Sequence, residues 1–172
     1  IPVGEEWSLK WVLGAHTGLS VLLPKPGVDR SVMDQSKLYI DGFFIGRGWR
    51  GLTDESFGGT LLWGNWVEVR MPLVERLLSL DMFLDAVTVL TDDGLLSFQD
   101  SISGGRDPAK TSLMDLGLEN LAFSLGIGFR FTIPQFPFRF YFARRFVVDG
   151  AGRFTWASEG MEFVISISQM ML

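Results

Sequence analysis

Three glycines in the segment GRGWRG, residues 46–51, have the spacing of a phosphate-binding turn. A dinucleotide site of this kind needs a strand before the glycines, a helix that begins at them and an acidic residue about 20 positions later. The residues that follow, LTDESFGGT, have no helical periodicity and end in a glycine pair. We therefore expect no nucleotide and no other cofactor here, and interpret the segment as a tight loop that carries Arg47.

Two later carboxylates are candidates to pair with Arg47. Glu68 lies in WVEVRMPL and Asp85 lies in DMFLDAV, and both fall on the polar side of segments in which apolar residues alternate. A guanidinium presents a planar fork of donors that matches a carboxylate, and a charge held away from bulk water is tolerated only when it is hydrated or paired. We expect the loop to fold back so that Arg47 docks against these side chains. The alternative is a solvated arginine on an external loop.

Residues that could support catalysis or metal binding are sparse. The only histidine, His16, lies among glycines, and no serine or aspartate is arranged around it in a recognisable order. Asp92, Asp93 and Asp100 are spaced acids near a glycine, but this pattern falls short of a calcium-binding loop. We expect no catalytic residue, no metal site and no enzymatic activity.

The composition argues against nucleic acid as a partner and favours an apolar environment. The chain has 15 Lys and Arg against 20 Asp and Glu, whereas phosphate binding needs clustered cations. Hydrophobic residues make up 47% of the 172 residues, which is high for a soluble protein of this size. The longest uncharged run, residues 11–24, is too short for a membrane-spanning helix, and no export signal is visible at the N-terminus.

Alternation with a period of two is the strongest pattern in the chain and recurs six times. Between Leu121 and Ile133 the odd positions are large and apolar, whereas the even positions are small or polar. Between Phe136 and Phe142 every even position is phenylalanine. The predicted strands cover residues 6–23, 58–71, 78–90, 116–133, 136–148 and 160–171, with a long loop at 24–57.

The lengths and connections of these strands favour a membrane barrel. Tilted strands of ~9–11 residues cross a bilayer, and the predicted strands reach this length. A soluble sandwich or lipocalin-like barrel would also alternate, but here long and short connections alternate as well, as in transmembrane barrels. We predict an all-β fold, an antiparallel transmembrane β-barrel whose phenylalanine-rich face contacts lipid. Closed barrels need about eight strands, so we expect either the C-terminal part of a longer barrel or closure by several copies.

Four stretches resemble motifs of the BamA-like superfamily of outer-membrane protein assembly insertases. LYIDGFFIGRGW resembles the end of the sixth external loop of that family, with Arg47, Gly48 and Trp49 at its (V/I)RG(F/Y) signature. MFLDAVTV, LGIGFRFTIPQFPFRFYFARRF and GMEFVISISQMML resemble three of its strand motifs in the same order. Two positions depart from the family pattern, because Gly46 replaces the usual Val or Ile and the chain ends in Leu172 rather than an aromatic residue.

The resemblance implies a sixteen-stranded barrel in the outer membrane of a diderm bacterium, of which this chain holds about the last six strands. It also implies that the loop arginine lies inside the barrel against Glu68 and Asp85. The implied function is non-enzymatic assembly and insertion of outer-membrane β-barrel proteins, in which a seam strand with Phe163, Ile165 and Ile167 templates an incoming strand.

The implied partners are unfolded outer-membrane proteins, outer-membrane lipid, and accessory assembly lipoproteins that bind a periplasmic region absent from this sequence. Two alternatives remain at this point. One is a two-partner secretion translocator, which shares the loop motif and differs mainly in its substrate. The other is a passive pore or surface adhesin, which needs neither an internally docked arginine nor a weak seam.

Overall fold

A computed structural model describes residues 11–23, 26–27, 36–49, 52, 55–99, 109–133 and 137–167. Residues 6–10 and 168–171 of the predicted first and last strands lie outside these ranges. The described strands are β1 (Val12–Val21), β2 (Leu61–Val74), β3 (Leu78–Thr91), β4 (Gly94–Leu96), β5 (Lys110–Thr111), β6 (Ala122–Phe131), β7 (Phe138–Val148), β8 (Phe154–Trp156) and β9 (Glu162–Ile167). Short 3-10 turns span Glu55–Phe57, Leu113–Asp115 and Leu118–Asn120. In this part of the chain no helix is long and apolar enough to cross a membrane.

The long strands form one antiparallel meander in the order β1, β2, β3, β6, β7, β9. The short strand β4 forms a hairpin with β3, β5 pairs with β4, and β8 pairs with the end of β7. Within the described residues β1 and β9 each pair with one neighbour, so the sheet is open. The prediction of an all-β antiparallel fold is confirmed, whereas this sheet by itself provides neither barrel closure nor sixteen strands.

Some strand boundaries differ from the predicted ones. β2 continues to Val74 because the register shifts between Pro72 and Val74, and an irregular ladder tolerates a residue without an N–H. β6 begins only at Ala122, because the 3-10 turn Leu118–Asn120 occupies the start of the predicted segment 116–133. Two of the predicted long loops also contain the short strands β4, β5 and β8, which extend the hairpins beyond the main sheet.

The two faces of the sheet have opposite character, as expected for strands with a period of two. We call the apolar one the outer face and the one that carries Glu68 and Asp85 the inner face. Large apolar side chains exposed on the outer face include Trp63, Val67, Met82, Leu84, Leu125, Ile127, Phe142, Phe163, Ile165 and Ile167. An exposed apolar face of this extent suits contact with lipid.

The long connections all leave the sheet at one end, which we call the loop end, and the connections from β2 to β3 and from β6 to β7 lie at the other end. Near the loop end, loop residues pack on the inner face and form the hydrophobic core. Its buried members are Ile40, Trp49, Phe57, Leu62, Val87, Val89, Leu96, Phe98, Ala122 and Val147. The core therefore holds the loop that precedes β2 against the inside of the sheet.

Candidate functional site

One aspartate shapes the turn that leads to Arg47. Asp41 accepts hydrogen bonds at Oδ1 from the backbone N–H groups of residues 43–45, at 2.7, 2.8 and 2.9 Å. The turn then closes, because the N–H of Gly48 donates to the carbonyl oxygen of Gly42 at 2.9 Å. Such bonds from an Asp side chain to following N–H groups stabilise tight turns.

Glycines flank Arg47 where the backbone is left-handed. The φ angle is 65° at Gly46 and 89° at Gly48, a region that favours glycine. A Cβ at Gly46 would lie 2.7 Å from Cγ2 of Ile40, and a Cβ at Gly48 would lie 2.9 Å from Cβ of Ala143. This geometry gives a physical reason for glycine at position 46, where the resemblance leads one to expect Val or Ile.

Arg47 is buried and hydrogen-bonded to both predicted carboxylates. Its Nε and Nη2 donate to Oδ2 and Oδ1 of Asp85 at 2.9 and 2.7 Å, and its Nη1 donates to Oε2 of Glu68 at 3.0 Å. The backbone N–H of Arg47 also donates to Oδ2 of Asp85 at 2.9 Å. A bidentate arginine–carboxylate pair is both strong and geometrically specific. The structure thus places Arg47 against Glu68 and Asp85.

Two aromatic rings complete the surroundings of the guanidinium. Its central carbon lies 3.6 Å from the ring centroid of Phe83 and 5.0 Å from that of Tyr141. Burial disfavours the charged form of Arg47, but the hydrogen bond and the charge of Asp85 outweigh it and raise the pKa of this loop residue above its usual range. Arg47 is therefore a fixed positive charge on the inner face.

Three charged residues beside Arg47, Glu68 and Asp85 were not among the predicted site residues. Nε of Arg130 donates to Oδ2 of Asp81 at 2.6 Å, and the same guanidinium forms an ion pair with Glu68. Arg70 lies 3.1 Å from Oε1 of Glu68 and 3.5 Å from Oδ1 of Asp81. Arg47 therefore belongs to a charge network that spans three strands. Each of these strand residues occupies an inner-face position, which the alternation of the sequence indicates, whereas the contacts among them depend on the register between the strands.

Trp49 makes a second set of contacts that hold the loop against the inner face. It is 2% exposed, its Nε1 donates to the carbonyl oxygen of Phe123 at 2.9 Å, and its ring meets that of Phe98 edge-on at 5.6 Å. The guanidinium of Arg145 lies 5.4 Å from the Trp49 ring and pairs with Glu162 at 3.2 Å. Since Glu162 begins β9, the docked loop is connected through Arg145 to the last strand.

The predicted seam residues lie on β9. Phe163, Ile165 and Ile167 point to the outer face and are 46%, 51% and 54% exposed. The loop-end side of β9 is irregular, because the five residues 157–161 between β8 and β9 lie opposite only two residues of β7, Arg144 and Arg145. Extra residues of this kind interrupt a ladder and weaken pairing locally.

The other residues considered for catalysis or metal binding either contact neighbouring side chains or lie outside the described residues. His16 is exposed on β1 and stacks on the ring of Trp66 at 5.5 Å. Asp93 pairs with Lys110 at 2.8 Å, and Asp100 lies outside the described residues. Among the described residues no group of three or more potential metal ligands is present. The described elements that follow GRGWRG are a 3-10 turn and β2, which do not match a dinucleotide site.

Comparison with known proteins agrees with the four sequence motifs. The Omp85 superfamily domain matches residues 1–168. A protein of Treponema pallidum (strain Nichols), provisionally named an outer membrane protein assembly factor, is 34% identical over 159 residues. The match covers 87% of this chain but 18% of that relative, so the chain spans less than a fifth of its length. No solved structure matches significantly. The chain therefore belongs to the Omp85 superfamily, as the BamA-like motifs indicated, and its place is the outer membrane of a diderm bacterium.

Proposed function

We propose that the protein containing this chain assembles β-barrel proteins and inserts them into the outer membrane, without an enzymatic reaction. The observation that carries the proposal is Arg47, which a tight loop delivers to the inner face and which Asp85 and Glu68 hold there. A passive pore or adhesin has no need of such an anchored loop. Membership of the Omp85 superfamily and the name of the Treponema relative support the same role.

The proposed mechanism is strand templating at a lateral seam. In the described residues β9 pairs on one side with β7, so the backbone groups of its other edge have no strand partner. An incoming strand that pairs with such an edge satisfies its own N–H and C=O groups instead of exposing them to lipid. In the complete protein we propose a sixteen-stranded barrel in which β9 meets the first strand at the seam.

The loop supports this seam from the inside. Arg47 and Trp49 fix it against β3, β6 and β7, and the Arg145–Glu162 pair continues the contact to the start of β9. An anchored loop of this kind keeps the inner face of the sheet ordered while the seam beside β9 opens. In this proposal the loop is an internal brace and performs no chemistry.

The proposed partners follow from the same mechanism. Unfolded outer-membrane proteins are the substrates that offer strands to the edge of β9. Outer-membrane lipid contacts the apolar outer face, including Phe163, Ile165 and Ile167. Accessory assembly lipoproteins are proposed to act through a periplasmic region that is not part of this sequence.

The test measures the folding rate of an unrelated unfolded barrel protein in liposomes that contain the full-length protein. Wild type is expected to accelerate folding relative to empty liposomes. Arg47→Ala is expected to lose most of the acceleration, because removing one partner of a buried ion pair costs about 3–5 kcal/mol and leaves the buried Asp85 without its cation. Arg153→Ala is the matched control, since Arg153 is exposed and pairs with Asp149 in a hairpin turn.

Two results would contradict the proposal. If wild type gave no acceleration, a secretion translocator, a pore or an adhesin would explain the barrel better. If Arg47→Ala and Arg153→Ala slowed folding equally, the docked loop would have no special part in assembly.

A further inference from the structure

One arginine of β7 lies on the lipid-facing side of the sheet. Its neighbours Ala143 and Arg145 point to the inner face, where they contact the docked loop. Arg144 therefore points outward, between the outer-face residues Phe142 and Phe146. A cation at a lipid-facing position costs about 2–4 kcal/mol at the bilayer centre and much less near the interface. A charge here requires a partner or an interfacial location.

The side chain of Arg144 runs towards the loop end. Its guanidinium carbon lies 3.8 Å from the ring centroid of Trp156. Trp156 pairs with Phe146, two residues nearer the loop end than Arg144. Arg144 pairs with Leu125 of the neighbouring strand β6. Leu125 lies three residues from the start of β6, and three residues of a strand span about 10 Å. An arginine of this length can therefore bring its charged group close to the membrane surface.

Arg144 has one side-chain donor that is shown without an acceptor in the described part of the chain. Its Nε is shielded from water and has no hydrogen-bond partner among these residues. Two nearby carboxylates are engaged elsewhere, because Glu162 pairs with Arg145 and Asp149 pairs with Arg153. A guanidinium that stacks by its face on an aromatic ring keeps the N–H donors along its edge available. The Nη groups, rather than the shielded Nε, are therefore the donors that an acceptor from outside the described residues can reach, and a negatively charged acceptor suits the cation best.

The surroundings of this donor suit a lipid. Phe154 and Trp156 are 47% and 37% exposed, and their rings meet edge-on at 4.4 Å. The ring of Phe146 lies 4.8 Å from that of Phe154 and extends the cluster along the outer face. Aromatic residues of this type concentrate at the membrane–water interface, where one side is apolar and the other is hydrated.

We propose that this outer-face cluster binds the phosphate of a lipid headgroup in the leaflet at the loop end. The edge N–H groups of Arg144 donate to the phosphate oxygens, and Trp156 and Phe154 pack beside the glycerol and the upper part of the acyl chains. The site would hold one lipid beside the irregular segment 157–161 that precedes the last strand. This inference needs the outer face to contact lipid, but it does not rest on the assembly role.

The test is native mass spectrometry of the full-length protein in detergent, titrated with phosphatidylglycerol. Arg144→Gln is expected to weaken lipid binding about tenfold, which corresponds to the loss of one charged hydrogen bond. Arg144→Lys is expected to retain part of the affinity, because it keeps the charge but not the planar fork. Arg153→Gln is the matched control and should bind like wild type, because Arg153 lies in a hairpin turn and is 82% exposed.

Two further binding measurements identify the ligand. Digalactosyldiacylglycerol, which has no phosphate, should bind wild type and Arg144→Gln equally, and millimolar inorganic phosphate should not displace phosphatidylglycerol.

If Arg144→Gln does not fold, as judged by its gel mobility with and without heating, Arg144→Met takes its place because an apolar side chain suits the outer face. Unchanged phosphatidylglycerol binding in the arginine variant, equal weakening by Arg153→Gln, or displacement by inorganic phosphate would each overturn the proposal.

Discussion

At the scale of single residues, the ion pairs of Arg47 specify where the loop lies rather than add much to the folding free energy. Its Nε, Nη1 and Nη2 all have carboxylate acceptors. Desolvation of buried charges largely offsets their mutual attraction, so a complete pair is often close to neutral, whereas a broken pair is costly. The ion pairs therefore specify where the loop lies, because any displaced arrangement leaves a buried charge without a partner.

Gly48 provides a residue-scale prediction that is independent of charge. Gly48→Ala introduces a Cβ 2.9 Å from that of Ala143 in a backbone with φ of 89°. Gly152→Ala has a similar φ of 78° but no heavy atom within 4 Å of the new Cβ. Both variants carry backbone strain of about 1–3 kcal/mol, and only Gly48→Ala adds a steric clash.

We therefore expect the full-length Gly48→Ala protein to lose its heat-resistant gel mobility at a lower temperature than Gly152→Ala. Hydrogen exchange of the backbone at residues 38–49 should also rise only in Gly48→Ala. Equal behaviour of the two variants would show that the contact between Gly48 and Ala143 does not hold the loop.

The alternation of odd and even strand positions, which decides the face that a side chain occupies, explains how much of the site could be predicted from the sequence. Glu68 and Asp85 fall on the polar side of alternating strands, and a loop arginine was the natural partner for both. This alternation does not give the register between strands, which sets Glu68 opposite Phe83 and Asp81 opposite Gly128. The additional partners Arg130 and Asp81 could therefore be assigned only when the pairing of β2, β3 and β6 was known.

At the scale of elements, the glycines of β6 make room for the rings that surround the docked arginine. Gly126 and Gly128 lie on the inner face, beside Phe83 and Tyr141. These two rings meet edge-on with centroids 5.3 Å apart, and both lie near the guanidinium of Arg47. The small residues that alternate along β6 are thus a packing requirement of the neighbouring strands.

Gly126→Ala tests this packing. The new Cβ would clash with the carbonyl oxygen of Phe142 and would lie 2.6 Å from Cζ of Phe83, so the backbone of the β6–β7 pair, the ring, or both must move. We expect a destabilisation of about 1–3 kcal/mol in denaturant unfolding of the full-length protein. Gly150→Ala, whose nearest side-chain atom would be 3.7 Å away, should change the free energy of unfolding by no more than about 0.5 kcal/mol. A larger effect at Gly150 than at Gly126 would contradict this packing.

Strand identity was easier to predict than strand ends. Long alternating runs such as those of β6 and β7 place an apolar row on one face and leave little freedom for another structure. The start of β6 depends instead on local hydrogen bonds, such as the one from the N–H of Gly117 to Oδ1 of Asn120, which closes the 3-10 turn just before this strand. Such local bonds leave no trace in a period-two pattern.

At the scale of the whole molecule, the open sheet has two edges with different surroundings. The edge strand β1 is exposed on much of both faces, including Leu13 on the outer face and Val12 on the inner face. The other edge strand, β9, buries Val164 and Ser166 on the inner face and is connected to the docked loop through Glu162. We therefore assign the proposed templating edge to β9, where the docked loop supports the inner face and the outer face is apolar.

The most direct measurement of this central claim is disulfide cross-linking during assembly. The chain has no cysteine, so Ile165→Cys adds one reporter on β9, and any cysteine elsewhere in the full-length protein is first replaced by serine. A substrate barrel protein arrested during assembly carries single cysteines along its terminal strands. We predict cross-links at alternate substrate positions, because side chains of a paired strand reach the same face every second residue.

Val67→Cys is the matched control, since Val67 is 46% exposed on the outer face of β2 and Ile165 is 51% exposed on that of β9. Val67 lies inside the sheet, with β1 and β3 on either side, and should form no cross-link. Cross-links at Val67 as frequent as at Ile165, or none at Ile165 while the substrate still folds, would contradict templating at β9.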